Sequence, residues 1–161
     1  MTDFSYLNVD NAYKLINQKV TKTPLVTNDY INNLLEAEIY FKLENLQNTG
    51  SFKLRGATHK ITKLIENVKD KGVVAYSSGN HAQAVAYASM INSISAKIIM
   101  PKTAPQIKIE NTKNYGAEVI LYDSYFQSRE EIGNEIQKKD NRALIKPYDD
   151  CLLYTSPSPR D

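Results

Sequence analysis

The chain has 161 residues, enough for one ordinary domain with a buried core. Twenty basic against eighteen acidic residues leave a net charge of +2, too small to argue for nucleic acid or a membrane surface as a partner. Cys151 is the only cysteine, which excludes an internal disulfide, no apolar run reaches transmembrane length, and Met1 opens no charged-then-apolar signal pattern; a cytoplasmic, reducing setting fits.

In chain order, Asn8 is placed to cap a first helix in which Val9, Ala12, Tyr13 and Ile16 share a face. Thr23-Pro24-Leu25 forces an extended segment, because proline restricts the residue before it. Residues 29–36 read as a short helix. Residues 38–43 alternate, with Ile39, Phe41 and Leu43 opposite Tyr40 and Lys42, and read as a strand. Ser51 then suits the N-cap of a helix carrying Leu54, Ala57, Ile61, Leu64, Ile65 and Val68 on one face. That puts Lys53 in the first turn, where the helix dipole disfavours a cation, with Arg55 adding repulsion wherever its charge lies near. Taken alone, a basic side chain there is a solvated surface group.

Beyond this helix the pattern becomes regular. Short apolar strands are expected at 73–76, 97–100, 118–121 and 143–146, with helices over 80–91, 105–115 and 125–138. Pro105 suits a first helical turn and Gly116 a C-terminal cap. Strand and helix alternating at this spacing predict an α/β fold, a parallel sheet flanked by helices. Ser77, Ser78, Asn80 and His81 fall at a strand-to-helix turn, where free backbone N–H groups and the dipole favour an anion such as a carboxylate. Turn and capping chemistry alone also accounts for Ser-Gly-Asn. A non-catalytic α/β ligand-binding domain is the competing class, but neither a Gly-x-Gly-x-x-Gly nor a P-loop pattern occurs to support it.

Two runs carry a resemblance: Asn45-Leu46-Gln47-Asn48-Thr49-Gly50-Ser51-Phe52-Lys53-Leu54-Arg55-Gly56-Ala57, and Ser77-Ser78-Gly79-Asn80-His81-Ala82-Gln83. From Thr23 to Asp150 the sequence resembles pyridoxal-phosphate enzymes of the tryptophan-synthase-β fold type, and within them the serine racemase and threonine/serine dehydratase branch. The resemblance implies pyridoxal 5'-phosphate as cofactor and Lys53 as its Schiff-base amine. It implies Asn80 as the donor to the ring's phenolic oxygen and Phe52 as the aromatic residue packed beside the cofactor. Ser77, Ser78, Asn80 and His81 are the implied cradle of the substrate carboxylate. Ser78 is the implied acid/base on the face opposite Lys53; many dedicated threonine dehydratases carry alanine there, so the hydroxyl favours racemisation, with β-elimination beside it. Serine, threonine or a similar hydroxy amino acid is the implied substrate. Tyr115 and Arg129 are candidates for facing its side chain, against the plainer reading of Arg129 as a helix-surface residue. Ala84 departs from a glycine frequent in dehydratases, as a small packing change.

Some of the family's parts are not in the sequence. The glycines are Gly50, Gly56, Gly72, Gly79, Gly116 and Gly133, and no two stand close enough to build a glycine-rich phosphate loop. The partner of the pyridine nitrogen and the carboxylates that hold a divalent cation in racemase-like members are also missing, so no metal ligand is assigned. The expected organisation is an incomplete part of a large cofactor domain over 1–71, a small α/β domain over 72–147, and a non-native, structureless tail over 151–161 that resembles translated adapter read-through. On this reading the strand near residue 40 lacks neighbours and exposes apolar surface. The chain itself is expected to be inactive and to hold cofactor weakly, and the full-length enzyme to be a homo-oligomer.

Overall fold

The computed structural model describes residues 6–148 and 150–154. Helix α1 (Tyr6–Ile16) buries Ala12 and Ile16, four residues apart on one face. Strand β1 (Leu25–Val26), helix α2 (Asp29–Leu35) and strand β2 (Phe41–Lys42) follow. Asn28 starts α2 by accepting the Ile31 N–H at 3.1 Å. The two strands pair antiparallel with each other and with no other strand among the described residues. The strand expected over 38–43 is thus reduced to two residues, because a longer one has nothing to pair with. Leu25, Val26, Tyr30, Leu34, Leu35, Tyr40 and Phe41 are exposed around this unit. It is an apolar face on a part of the molecule that buries little.

A 3-10 turn (Glu44–Leu46) leads to α3 (Lys53–Val68). The rest alternates: β3 (Val73–Tyr76), α4 (Asn80–Met90), β4 (Ala96–Pro101), α5 (Gln106–Asn114), β5 (Glu118–Tyr122), α6 (Arg129–Asp140), β6 (Ala143–Leu144) and α7 (Cys151–Tyr154). The last four strands form one parallel sheet in the order β5-β4-β3-β6. Alternate residues feed two cores, as the pleat requires. Val73, Ala75, Ile98 and Met100 pack with Leu54, Ala57 and Ile61 of α3 and Ala82, Val85 and Ala86 of α4. Val74, Tyr76, Ile99 and Tyr122 face the other way, against Ile132 and Ile136 of α6. Burial on both faces is why these strands read as unbroken apolar runs.

Three boundaries differ from expectation. Ser51 does not cap α3: Phe52 occupies the cap position with helical dihedrals (φ −61°, ψ −21°), and the Ser51 hydroxyl is buried without a hydrogen-bond partner. Helix α6 begins at Arg129 rather than near 125. Ser128 accepts the Glu131 N–H at 3.3 Å, while Asp123 accepts the Tyr125 N–H at 3.1 Å and holds residues 123–127 in a turn. The segment expected to be structureless from Cys151 instead forms α7 over its first four residues. There the Leu152 N–H reaches Asp150 Oδ1 at 3.0 Å and His59 Nδ1 donates to the Leu152 carbonyl at 2.7 Å. Residues 155–161 lie outside the described residues.

Candidate active site

The strand order reverses between β3 and β6, and in open parallel sheets ligands bind outside the carboxyl ends of the strands at such a point. The carboxyl end of β3 runs into Ser77-Ser78-Gly79 and then α4. Ser77 N–H closes the ladder on the Ile99 carbonyl at 3.0 Å, and Ser77 Oγ accepts the Gly79 N–H at 3.2 Å. Gln83 N–H is the first of α4 to find a backbone carbonyl, that of Gly79 at 3.2 Å. The amides of Ser78, Asn80, His81 and Ala82 therefore have no backbone acceptor among the described residues, as a helix start leaves them. Ser78 and Asn80 are exposed, and a Cβ built on Gly79 would meet nothing within 4 Å. The turn is an open cradle lined by N–H donors and hydroxyls.

The His81 side chain does not line this cradle. Its ring is buried, with Nε2 donating to the Ile145 carbonyl of the segment after β6 at 3.1 Å. Only its backbone N–H remains for a ligand. Burial pushes His81 down to about 4; the Lys53 charge works in the same direction, while the Ile145 carbonyl and Asp150 oppose it. His81 is therefore neutral at neutral pH. The unfolded chain takes up a proton on this residue as pH falls below 6.5, and the folded chain does so only near 4. Stability is thus expected to fall between those values, by about 3 kcal/mol in all. His59, held below its ordinary value mainly by burial, adds in the same direction. Urea denaturation at pH 7 and pH 4.5 measures the loss, and His81→Gln, which keeps a side-chain N–H donor, should flatten most of it.

Helices α3 and α4 pack along each other, and Lys53 is the first residue of one while His81 is the second residue of the other. The Lys53 amine is half-buried, 5.1 Å from the centre of the Phe52 ring. Asp150 forms an ion pair with Lys60 at 2.9 Å. Phe52 and Lys53 stand at the start of α3, and Ser77, Ser78 and Asn80 lead into α4, the helix packed against it.

What holds α3 there was not visible in the sequence. Arg55 is buried and makes a two-pronged pair with Glu44, Nε to Oε2 at 2.9 Å and Nη2 to Oε1 at 2.7 Å. Nη2 also reaches the Thr21 carbonyl at 3.0 Å, and Thr23 Oγ1 donates to Glu44 Oε1. Burial pushes Glu44 up, but the bonds from Arg55 and Thr23 outweigh it and hold the carboxyl below its ordinary value. The Arg55 charge is therefore matched locally by Glu44. Arg129 stacks on Tyr76 at 5.3 Å across the other core and pairs with Glu130 at 2.7 Å. Tyr115 meets Tyr87 edge-on at 5.2 Å.

A cleft of about 430 Å³ lined by Gln18, Lys19, Thr21, Asn48, Tyr87 and Ile91 among others opens towards the far end of α4 and is lined by none of Phe52, Lys53, Ser77, Ser78 and Asn80. Among the described residues no helix is long and apolar enough to cross a membrane.

Comparison with known proteins gives the family. Residues 16–155 match the model of the family described as "Pyridoxal-phosphate dependent enzyme". The L-threo-3-hydroxyaspartate ammonia-lyase of Saccharomyces cerevisiae is 44% identical over 145 residues, 90% of this chain and 44% of that protein. The serine racemase of Schizosaccharomyces pombe is 43% identical over 145 residues, 90% of this chain and 45% of that protein. The crystal structure of serine racemase from Dictyostelium discoideum superposes with a TM-score of 0.87 at 39% identity, over 93% of this chain and 49% of that one. The chain spans about half the length of the relatives it matches. On this match, and on the fold it shares with them, the chain belongs to the pyridoxal-phosphate-dependent enzymes.

Proposed function

We propose that this chain carries the amine-bearing half of a pyridoxal-phosphate site acting on serine or a similar hydroxy amino acid. The observation that supports the reading is that α3, which Lys53 opens, packs against α4, which starts from the open, N–H-lined turn at Ser77 to Asn80. The residues fit the reactive end of the cofactor. A half-buried amine stands next to an aromatic ring, and an asparagine and two serines flank a turn where a Cβ at position 79 would meet nothing within 4 Å. When bound, the cofactor supplies an electron sink for the carbanion at Cα.

The protein's own residues then divide the work. Lys53 would hold the cofactor through its amine and would take the Cα proton from one face. Asn80 would donate a hydrogen bond to the ring oxygen, and Phe52 would pack against the ring. The free amides at Ser78, Asn80 and His81, with the Ser77 hydroxyl, hold the substrate carboxylate. Ser78, the exposed hydroxyl of the turn, delivers a proton from the opposite face. Reprotonation there inverts Cα; loss of the β-hydroxyl as water, followed by release of ammonia, is the competing outcome. The named activities of the relatives, racemisation of serine and ammonia release from 3-hydroxyaspartate, are these two outcomes.

The full-length protein is proposed to be a cytoplasmic homo-oligomer, with any divalent cation bound outside the described residues. A glycine-rich grip for the phosphate is missing from the sequence, so this chain with cofactor and L-serine should make D-serine and pyruvate no faster than free cofactor does. Titration with pyridoxal phosphate tests the reading through absorbance. Saturable spectral change in the native chain, lost in Lys53→Ala, is expected; an identical response from both would contradict it.

A further inference from the structure

Asn80 has a partner that its proposed role does not require. Lys108, in the first turn of α5, places Nζ 2.9 Å from Asn80 Oδ1. A side-chain amide has two chemically opposite ends that look alike in shape, and nothing in an exposed asparagine decides which end faces inward. An ammonium decides it, because it has three donors and no acceptor and can only take the oxygen. The Nδ2 donors of Asn80 are then turned away from Lys108.

The next rung along the same two helices repeats the arrangement. Asn111, three residues after Lys108, donates from Nδ2 to Oε1 of Gln83, three residues after Asn80, at 3.0 Å. Gln83 is buried and its Nε2 has no partner. Helix α5 thus takes the oxygen of both amides on α4 and leaves both NH2 groups unclaimed. Residues three apart on each helix lie on one face, so this is a matched pair of contacts along the crossing. Ile109, between them, is buried in the core and fixes the depth of α5.

We propose that Lys108 is a positioning residue for the cofactor oxygen: it orients and polarises the Asn80 amide so that Nδ2 points at the ring's phenolic oxygen. Its charge, one hydrogen bond away, also favours the ionised form of that oxygen. The proposal rests on the assignment of Lys53 and Asn80 to a pyridoxal-phosphate site. Without Lys108 the amide is free to turn its carbonyl to the ring, where two acceptors would repel.

The test uses the whole chain with pyridoxal phosphate. Borohydride reduction and peptide mapping of the native chain come first, and a reduced adduct on Lys53 is expected. Its absence would overturn the site assignment and the proposal with it. Lys108→Met should then weaken cofactor binding by about tenfold and move the absorbance from the yellow, ionised form to the colourless, neutral one. Lys108→Arg should restore both. Asn111→Ala, which loosens the same helix crossing without touching Asn80, should leave the colour unchanged. Native colour and affinity in Lys108→Met, or equal colour loss in Asn111→Ala, would overturn the positioning role while leaving Lys53 in place.

Discussion

Glu44→Gln is expected to destabilise the chain by about 3 to 5 kcal/mol. The substitution preserves shape and leaves no cavity, so the loss is electrostatic. Arg55 keeps only 3% of its side-chain surface exposed and would retain a full charge with no counter-ion in that position. The Thr21 carbonyl and Thr23 hydroxyl nearby offer only dipoles. The matched apolar replacement, Glu44→Leu with Arg55→Met, should recover most of the loss, because removing both charges also removes both desolvation costs. Chemical denaturation of the two single variants and the double one gives the coupling directly. Equal losses in Glu44→Gln and in the apolar double variant would show that shape rather than charge is at work. The pair also ties the approach to β1 and the 3-10 turn to the first turn of α3, so its loss is felt where Lys53 is held.

Gly72→Ala is the second large effect, at about 3 kcal/mol or a fall of roughly 10 °C in Tm. Gly72 sits at φ +80°, where an L side chain is strained, and a Cβ there would lie 2.5 Å from the Ser95 carbonyl oxygen and overlap the Arg142 guanidinium. Neither neighbour can give way easily. The Ser95 carbonyl accepts the Val73 N–H at 2.9 Å, the bond that sets the register of β3 on β4, and Arg142 donates to that same carbonyl at 3.2 Å. Gly116 has nearly the same dihedral, φ +79°, but nothing within 4 Å of a built Cβ. Gly116→Ala should therefore cost only about 1 kcal/mol. Thermal melts of the two variants separate backbone strain from steric overlap.

What could be read in the sequence followed from what local pattern encodes. Strand β3 falls on the expected residues because Val73 to Tyr76 are all buried and bounded by Gly72 and the Ser77 turn. The start of α4 at Asn80 was legible for the same reason. Elements on the rim were less so. The strand near residue 40 alternates well but has one two-residue partner, and partnership is a property of the sheet rather than of the segment. The start of α6 was misplaced although Ser128 with Glu131 spells a helix start, because Tyr125 and Phe126 extend the apolar pattern upstream while both stand exposed.

The site divided along the same line. Lys53 and the Ser77 to Gln83 turn are contiguous motifs and could be singled out. The groups that hold them are not contiguous: Glu44 and Arg55 lie 11 apart, Asn80 and Lys108 28 apart, His81 and Ile145 64 apart. In sequence each of these charges looks like ordinary solvated surface. Only the fold turns them into partners, by setting the 3-10 turn against α3, α5 against α4, and the segment after β6 against α4.

The most direct measurement is the distribution of pyridoxal phosphate over the lysines after borohydride reduction at limiting cofactor, mapped by peptide mass spectrometry. The amine beside the Ser-Gly-Asn turn should take the label first, well ahead of the exposed lysines, and Gly79→Val, which fills the open cradle, should abolish that preference. Label spread evenly over the surface lysines, with Lys53 no more reactive than the rest, would contradict the account.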